Sequence, residues 1–440
     1  MNTHRHPTEG RGGPRFIILL SLASLVLFLA GTGAVSAQTP TNTPTLSLHA
    51  AVDQAYRENP ELLSLRARWL AMRERPAQAG ALPNPMFTYS GMDPADSGSW
   101  PDTAEKRYMV QQEFPSPGKR GLREGIASKD AEVLQRELDT MTLEVVMRVK
   151  ETYLDLAAIQ QVIALTEKEG EVVRRLEKTA ETLYATGERS QADVLKAQAE
   201  ITLLKQKSLE LKAQENTLQA KLNTLLNRRP DAPLAVVVPP TEPAFQRLDD
   251  TLFALAATNR PEIQAAQAEI DRHALEQTLM AKDSVPDYTL GLEYREIGKA
   301  EDMVMFTVSV DLPIWRSKIR GGVREADALR TASQNAREAA ERQCAFDVQD
   351  AAFKLTTAQR TLALTRTELL PQAEARFNAS ETGYRTGKVD FTDLLESERF
   401  LLSVKTMIAM TEGTVGIQAA RMERAVGTPP AVSPDPQGKE

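Results

Sequence analysis

The sequence predicts a mainly α-helical protein with a small β part, built from a duplicated strand–strand–helix–helix unit. One segment is written twice: Tyr184-Ala-Thr-Gly187-Glu-Arg-Ser-Gln-Ala-Asp193-Val-Leu195 returns about 200 residues later as Tyr384-Arg-Thr-Gly387-Lys-Val-Asp-Phe-Thr-Asp393-Leu-Leu395. Other landmarks repeat in the same order: Asn59-Pro60-Glu61-Leu62 with Arg260-Pro261-Glu262-Ile263, Pro85 with Pro286, and Phe114-Pro115 with Leu312-Pro313. That spacing is far longer than any solenoid period, so a whole unit has been duplicated. Each unit then mixes short alternating apolar–polar runs, the signature of strands with two unlike faces, with long heptad-like seams.

The elements follow in order. Arg5, Arg11 and Arg15 precede an apolar run from Phe16 to Ala30 and a small-residue site, Val35-Ser36-Ala37. This is the pattern of a cleaved export signal over residues 1–37, with an N-terminal membrane anchor as the alternative. Thr39 to Thr45 reads as a polar lead, and Leu48 to Ala81 as helix punctuated at Asn59-Pro60. Met86 to Ser90 and Tyr108 to Phe114 read as strands around a loop from Gly91 to Glu105, and Pro115-Ser-Pro117-Gly118 ends the hairpin. From about Gly125 a seam runs through Leu134, Leu138, Met141, Val145, Thr152, Leu156, Ile159 and Ile163. It turns at Thr186-Gly187 and returns through Val194, Ile201, Leu204, Leu211 and Leu218 to Leu226. About sixty helical residues span roughly 90 Å, more than a globular domain needs.

Residues 38–227 thus form the first repeat, 228–247 a proline-rich linker and 248–426 the second repeat, with a disordered tail over 427–440. In the second copy Leu248 to Lys282 reads as helix. Tyr288, Leu290, Leu292 and Tyr294 then alternate with polar residues, and Val304, Phe306, Val308 and Val310 do so across a Gly-Lys turn. Long helices follow from about Gly322 to Ala379 and from Asp390 to Val426.

Composition narrows the function. Aromatics are 5% and the net charge is −7, which disfavours nucleic acid, since phosphate binding needs a basic face. Beyond the signal no segment reads as a spanning helix, so any membrane crossing falls to strands. Cys344 is the only cysteine; it excludes an internal disulfide and lipid anchoring at a new N-terminal cysteine, and reads as a small buried residue. Gly118-Lys119 is not a phosphate loop, because Arg120 stands where Ser or Thr is required. His49 and His273 lie far apart, and no nucleophile–base arrangement is visible; we expect no enzyme, no cofactor and no dedicated metal site.

Strands with one apolar and one polar face need a covering layer in water but only lipid in a bilayer. In a bilayer their edges must close, so several chains must each supply four strands, and three would give about twelve, enough to leave a lumen. Antiparallel helix pairs from the same chains can continue that barrel as a hollow cylinder. The residues leave two plainer readings open: soluble hairpins capping a helical body, and a solid coiled-coil scaffold.

This plan resembles the TolC-like outer-membrane efflux protein family. The carrying residues are the two Tyr-x-x-Gly-(five residues)-Asp-(hydrophobic pair) signatures at Tyr184–Leu195 and Tyr384–Leu395. The segment from Gln111 to Arg120 resembles the CzcC-like heavy-metal efflux branch. The resemblance implies a homotrimer in the outer membrane of a Gram-negative bacterium, with a transmembrane β-barrel continued by an α-helical periplasmic tunnel. It implies docking to a periplasmic membrane-fusion adaptor and an inner-membrane pump of the resistance–nodulation–division (RND) type, with heavy-metal cations as cargo. It also places the signature turns, Tyr184 and Gly187 with Tyr384 and Gly387, at the periplasmic tip. There Asp193, Asp393 and Glu396 would narrow the entrance, braced by Arg189 or Lys388. Val389 replaces a second arginine, so any basic latch is asymmetric. The residues alone leave room for simpler roles: an Asp just past a turn caps a helix start, and the tyrosines pack helices. Drug efflux and type I protein secretion keep the fold and change the cargo, whereas a soluble periplasmic coiled-coil adaptor is the reading of another class.

Overall fold

The computed structural model describes residues 45–92, 105–237, 251–298 and 301–428. The expected export signal, most of the first strand–strand loop, part of the linker and nearly all of the tail lie outside the described residues. The first repeat runs β1 (Thr45–Leu46), α1 (Leu48–Glu58), α2 (Pro60–Arg73), α3 (Arg75–Ala79), β2 (Met86–Met92), β3 (Glu105–Phe114), α4 (Lys119–Ala185) and α5 (Gln191–Leu225). After β4 (Val236–Val237) come α6 (Thr251–Asn259), α7 (Pro261–Lys282), β5 (Tyr288–Ile297), β6 (Met303–Val310) and α8 (Arg316–Leu364). A π-type turn at Thr365–Leu369, α9 (Leu370–Arg385) and α10 (Phe391–Val426) complete the second repeat.

The strand–strand–helix–helix plan therefore appears twice, with local differences that have physical causes. The helix expected over Leu48 to Ala81 is three helices. Asn59 is extended and accepts from the amides of Glu61 and Leu62, so it caps α2 while Pro60 occupies the first turn, where no N–H is needed. The second-copy helix expected to run unbroken to Ala379 widens into the π-type turn, because Pro371 has no N–H to offer the carbonyl four residues back. The long helices also start earlier than their seams, at Lys119 and Arg316. Thr45–Leu46 and Val236–Val237, expected as lead and linker, pair as a parallel two-stranded ribbon. The Tyr153 hydroxyl donates to the Leu46 carbonyl at 2.6 Å and ties that ribbon to α4.

The seam residues are the core. Val145, Thr152, Leu156, Ile159 and Ile163 are buried along α4, as are Leu204, Leu211 and Leu226 on the return. With 67 residues, α4 extends about 100 Å. Contrary to the expectation that no segment beyond the signal reads as a spanning helix, α10, with 36 residues, is long and apolar enough by composition for one. It packs instead along α4, α8 and α9, and its last turns pair with α4 through Lys150–Glu423, Arg421–Glu151 and Arg424–Glu144. Cys344 is buried beside Val348 and Met422, and burial pushes its thiol pKa up.

The four long strands form one antiparallel sheet in the order β2-β3-β5-β6, with the two repeats joined at β3–β5. One face carries Phe87, Tyr89, Tyr108, Val110, Phe114, Tyr288, Leu290, Leu292, Tyr294, Val304, Phe306, Val308 and Val310. Nothing among the described residues covers it: Leu292 is 55%, Phe306 67% and Val304 71% exposed. Near one end Tyr89, Tyr108 and Tyr294 form an aromatic row with ring centroids 5.2 and 6.1 Å apart.

Candidate functional site

Both helical hairpins reverse by the same local device. After α4 the amide of Glu188 donates to the Leu183 carbonyl and that of Gly187 to Tyr184; after α9 Lys388 donates to Gly383 and Gly387 to Tyr384. Gly187 and Gly387 have φ of 78° and 80°, the left-handed conformation that an L side chain resists. The Tyr-x-x-Gly spacing is therefore the footprint of a helix C-terminus: Tyr supplies the carbonyl and Gly makes the reversal. The return helix α5 starts with the Ser190 side chain accepting from the Ala192 amide. Ser190 thus takes the cap position, and Asp193 and Asp393 sit in the first turns of α5 and α10.

The shared backbone carries unlike side chains. Tyr384 is 1% exposed and Tyr184 48% exposed. Tyr384 stacks on Phe391 with centroids 5.2 Å apart, and its hydroxyl donates to Asp193 Oδ2 at 3.3 Å. Burial, then the Asp193 charge, pushes the Tyr384 phenol up to about 12. Arg189 reaches across from the first hairpin. Its guanidinium lies 4.8 Å from the Tyr384 ring centroid and donates to the carbonyls of Tyr384 at 2.9 Å and Val389 at 3.2 Å. Val389 in turn fills the space over Gly383, where an added Cβ would come within 2.4 Å of Val389 Cγ2. Lys196 Nζ adds a bond to Thr392 Oγ1 at 2.8 Å.

Of the residues singled out in the sequence, the structure brings Arg189, Asp193 and Tyr384 together across the two hairpins. Asp393, Glu396, Lys388, Tyr184, Gly187 and Gly387 are exposed on the tip. Beneath it lie acids that pattern reading passed over. Glu200 on α5 is buried against Arg399 of α10. Glu169 on α4 is 6% exposed with Oε1 lacking a hydrogen bond, and burial raises its pKa to about 7 against the pull of Lys405 and Arg175. Glu398 on α10 is buried with neither carboxylate oxygen hydrogen-bonded. These residues sit at heptad positions that ordinarily hold leucine, a signal legible only once the seam's inward face is fixed.

At the other end of the long helices, the segment 111–120 forms a joint between strands and helices. Lys119 is buried, with Nζ 3.0 Å from Asp287, 3.4 Å from Asp283 and 3.4 Å from the Val285 carbonyl. The Ser116 amide donates to the same Asp287 at 2.6 Å, and Lys282 donates to the Pro117 carbonyl at 2.9 Å. Burial alone would raise the Asp287 pKa, but the Ser116 amide and the Lys119 charge outweigh it and hold it below the usual range.

Chemically, the tip sets a cation bonded to carbonyls and a ring beside carboxylates open to solvent. Among the described residues no group of three or more His, Cys, Asp or Glu is placed to hold a metal ion. The sequence profile of the outer membrane efflux protein family matches residues 51–228 and 252–428. The cobalt-zinc-cadmium resistance protein CzcC of Cupriavidus metallidurans is 24% identical over 429 residues, 93% of this chain and 99% of that protein. The outer-membrane channel OprN superposes with a TM-score of 0.74 at 19% identity, over 86% of this chain and 89% of its own. CusC does so with a TM-score of 0.75 at 14% identity, over 86% and 92%.

Proposed function

The chain belongs to the outer membrane efflux protein family, and on that premise we propose that it is the outer-membrane exit duct of a tripartite efflux system. The observation that carries the proposal is the four-stranded sheet: one face is predominantly apolar and exposed, with Lys106, Glu296 and Gln112 its polar residues, and its edge strands β2 and β6 end the sheet order without further partners among the described residues. Lipid covers such a face, and closure removes such edges. Three chains supply about twelve strands and a lumen, with the polar face inward. The protein then lies in the outer membrane of a Gram-negative bacterium, and α4, α5 and α8 to α10 extend as a tunnel into the periplasm.

The tip supports the same closure. Tyr384 and Leu395 are buried between the hairpins of one chain, whereas Tyr184 and Leu195 present the equivalent face to solvent. In a homotrimer the second hairpin of the next chain covers that face, so six hairpins close a ring about a threefold axis. Asp393 and Glu396 then repeat around the entrance with Asp193, a carboxylate lining that favours cations. Arg189, holding one hairpin to the other, is the brace that must let go for the entrance to widen; Lys388 is an exposed cation beside it. A periplasmic adaptor docking at the tip and an inner-membrane RND pump supply the opening and the energy. The duct is passive and not an enzyme. Heavy-metal cations are the cargo, a reading that follows the likeness to a cobalt-zinc-cadmium resistance protein.

The test is fractionation of the expressed protein followed by mass determination of the detergent-extracted species. An outer-membrane trimer is expected; a soluble periplasmic monomer overturns the duct. Conductance in a planar bilayer tests the latch: Arg189→Ala should raise the single-channel current, and an unchanged current removes Arg189 from the gate.

A further inference from the structure

The polar face of the sheet has an unusual apolar component. Its inward positions, alternating with the lipid-type residues, include Met86 and Met92 on β2, Met109 on β3, and Met303 and Met305 on β6. Of 13 methionines in the chain, five stand on this one face and none on the other. The apolar residues of the opposite face are Phe, Tyr, Leu and Val, whereas Ile297 is the one branched aliphatic among these inward strand positions. A gap-filling role would draw on Leu, Val and Ile as readily, and strands favour β-branched residues over methionine.

The placement is ordered. The cross-strand rows read Met92–Glu105–Ile297, then Ser90–Arg107–Arg295–Met303, then Thr88–Met109–Glu293–Met305, then Met86–Gln111–Gly291–Thr307. A thioether stands in each of four successive rows, spaced about 7 Å apart along the strands, and so covers about 20 Å of the sheet. Duplication did not supply this pattern: by the Phe114-Pro115 and Leu312-Pro313 landmarks, Met303 and Met305 correspond to Glu105 and Arg107, and Met109 to Thr307. The charges between them are largely self-neutralised, with Arg107 bonded to Glu105 at 2.7 Å and Arg295 to Glu105 at 3.1 Å and Glu293 at 2.9 Å.

We propose that Met86, Met109, Met305, Met303 and Met92 form a thioether ladder that passes soft monovalent cations, Cu(I) or Ag(I), along the inner wall of the barrel. Thioethers select such ions over zinc and other borderline or hard cations. They are neutral and weak singly, so an ion is held in each row and released to the next, as multi-site conduction requires. This rests on the duct reading, which places the polar face in the lumen.

The test uses the full detergent-extracted protein with methyl-labelled methionine, titrated with silver nitrate in chloride-free buffer and separately with zinc sulfate. Silver should shift the methyl signals of the five ladder methionines and leave the buried Met422 and half-buried Met72 and Met141 unmoved, while zinc shifts none of them. Met109→Leu/Met303→Leu/Met305→Leu, a volume-conserving change, should weaken silver binding about tenfold. Silver shifts confined to helical methionines, or equal silver binding by the variant, overturn the ladder; the wild-type spectra decide alone if the variant does not fold. An outer-membrane trimer without ladder shifts sinks the ladder only, whereas a soluble monomer sinks the duct as well.

Discussion

The two copies of the repeat meet the same structural demands with different chemistry. Where the return helix of each hairpin ends, copy one uses Asn59, whose Nδ2 donates to the Leu225 carbonyl at 3.0 Å. Copy two uses Arg260, which donates to the equivalent Ala425 carbonyl at 3.2 Å and pairs with Glu262 at 2.9 Å and Asp347 at 3.1 Å. At the tips the backbones agree while Arg189 faces Val389, Leu183 faces Gly383, and an exposed Tyr184 answers a buried Tyr384. Duplication copies a backbone solution. Divergence of a few side chains then makes unlike surfaces that fit each other within one chain and leave Tyr184 and Leu195 exposed.

The largest expected break in that comparison is at the helix seats. Arg260→Ala strips two half-buried carboxylates of a buried cation and should cost about 3 kcal/mol. Asn59→Ala, losing a neutral cap, should cost about 1 kcal/mol. Denaturant unfolding of the extracted protein measures both, and equal losses would mean that the ion pairs of Arg260 add nothing. Next come the turns, where the copies should behave alike: Gly187→Ala and Gly387→Ala should each cost about 1–2 kcal/mol, because both impose left-handed backbone on a side chain. A thermal melt that separates the two would show that the turns are not equivalent.

The tip tyrosines should differ. Tyr384→Phe loses its bond to Asp193 and should destabilise by about 1 kcal/mol. Tyr184→Phe should leave the isolated chain unchanged, and a shift only in trimer dissociation would locate it at the contact between chains. The copies should differ in pH dependence as well. Glu169 has no counterpart acid, since copy two carries Leu369. Its pKa rises on folding from 4.5 to about 7, so the packed state binds the proton more tightly than the unfolded one. Its contribution is fully present below about pH 4.5 and is lost as pH rises through about 7. Glu169→Gln should flatten the stability profile across that window, and an unchanged slope would assign the dependence elsewhere.

The sequence by itself determined the duplication, the strand faces and the inward seam, because each is a periodicity that local backbone geometry imposes. Tyr-x-x-Gly was legible for the same reason: a helix end needs glycine at one fixed offset. The asymmetry at the tip was visible only as Val389 opposite Arg189, without a hint that Arg189 would lie on Tyr384. That contact, the pairing of Thr45–Leu46 with Val236–Val237, and the burial of Lys119 on Asp287 join residues more than 150 positions apart. Only the tertiary structure decided them, since nothing in local propensity says which distant carbonyl or carboxylate a buried cation will meet.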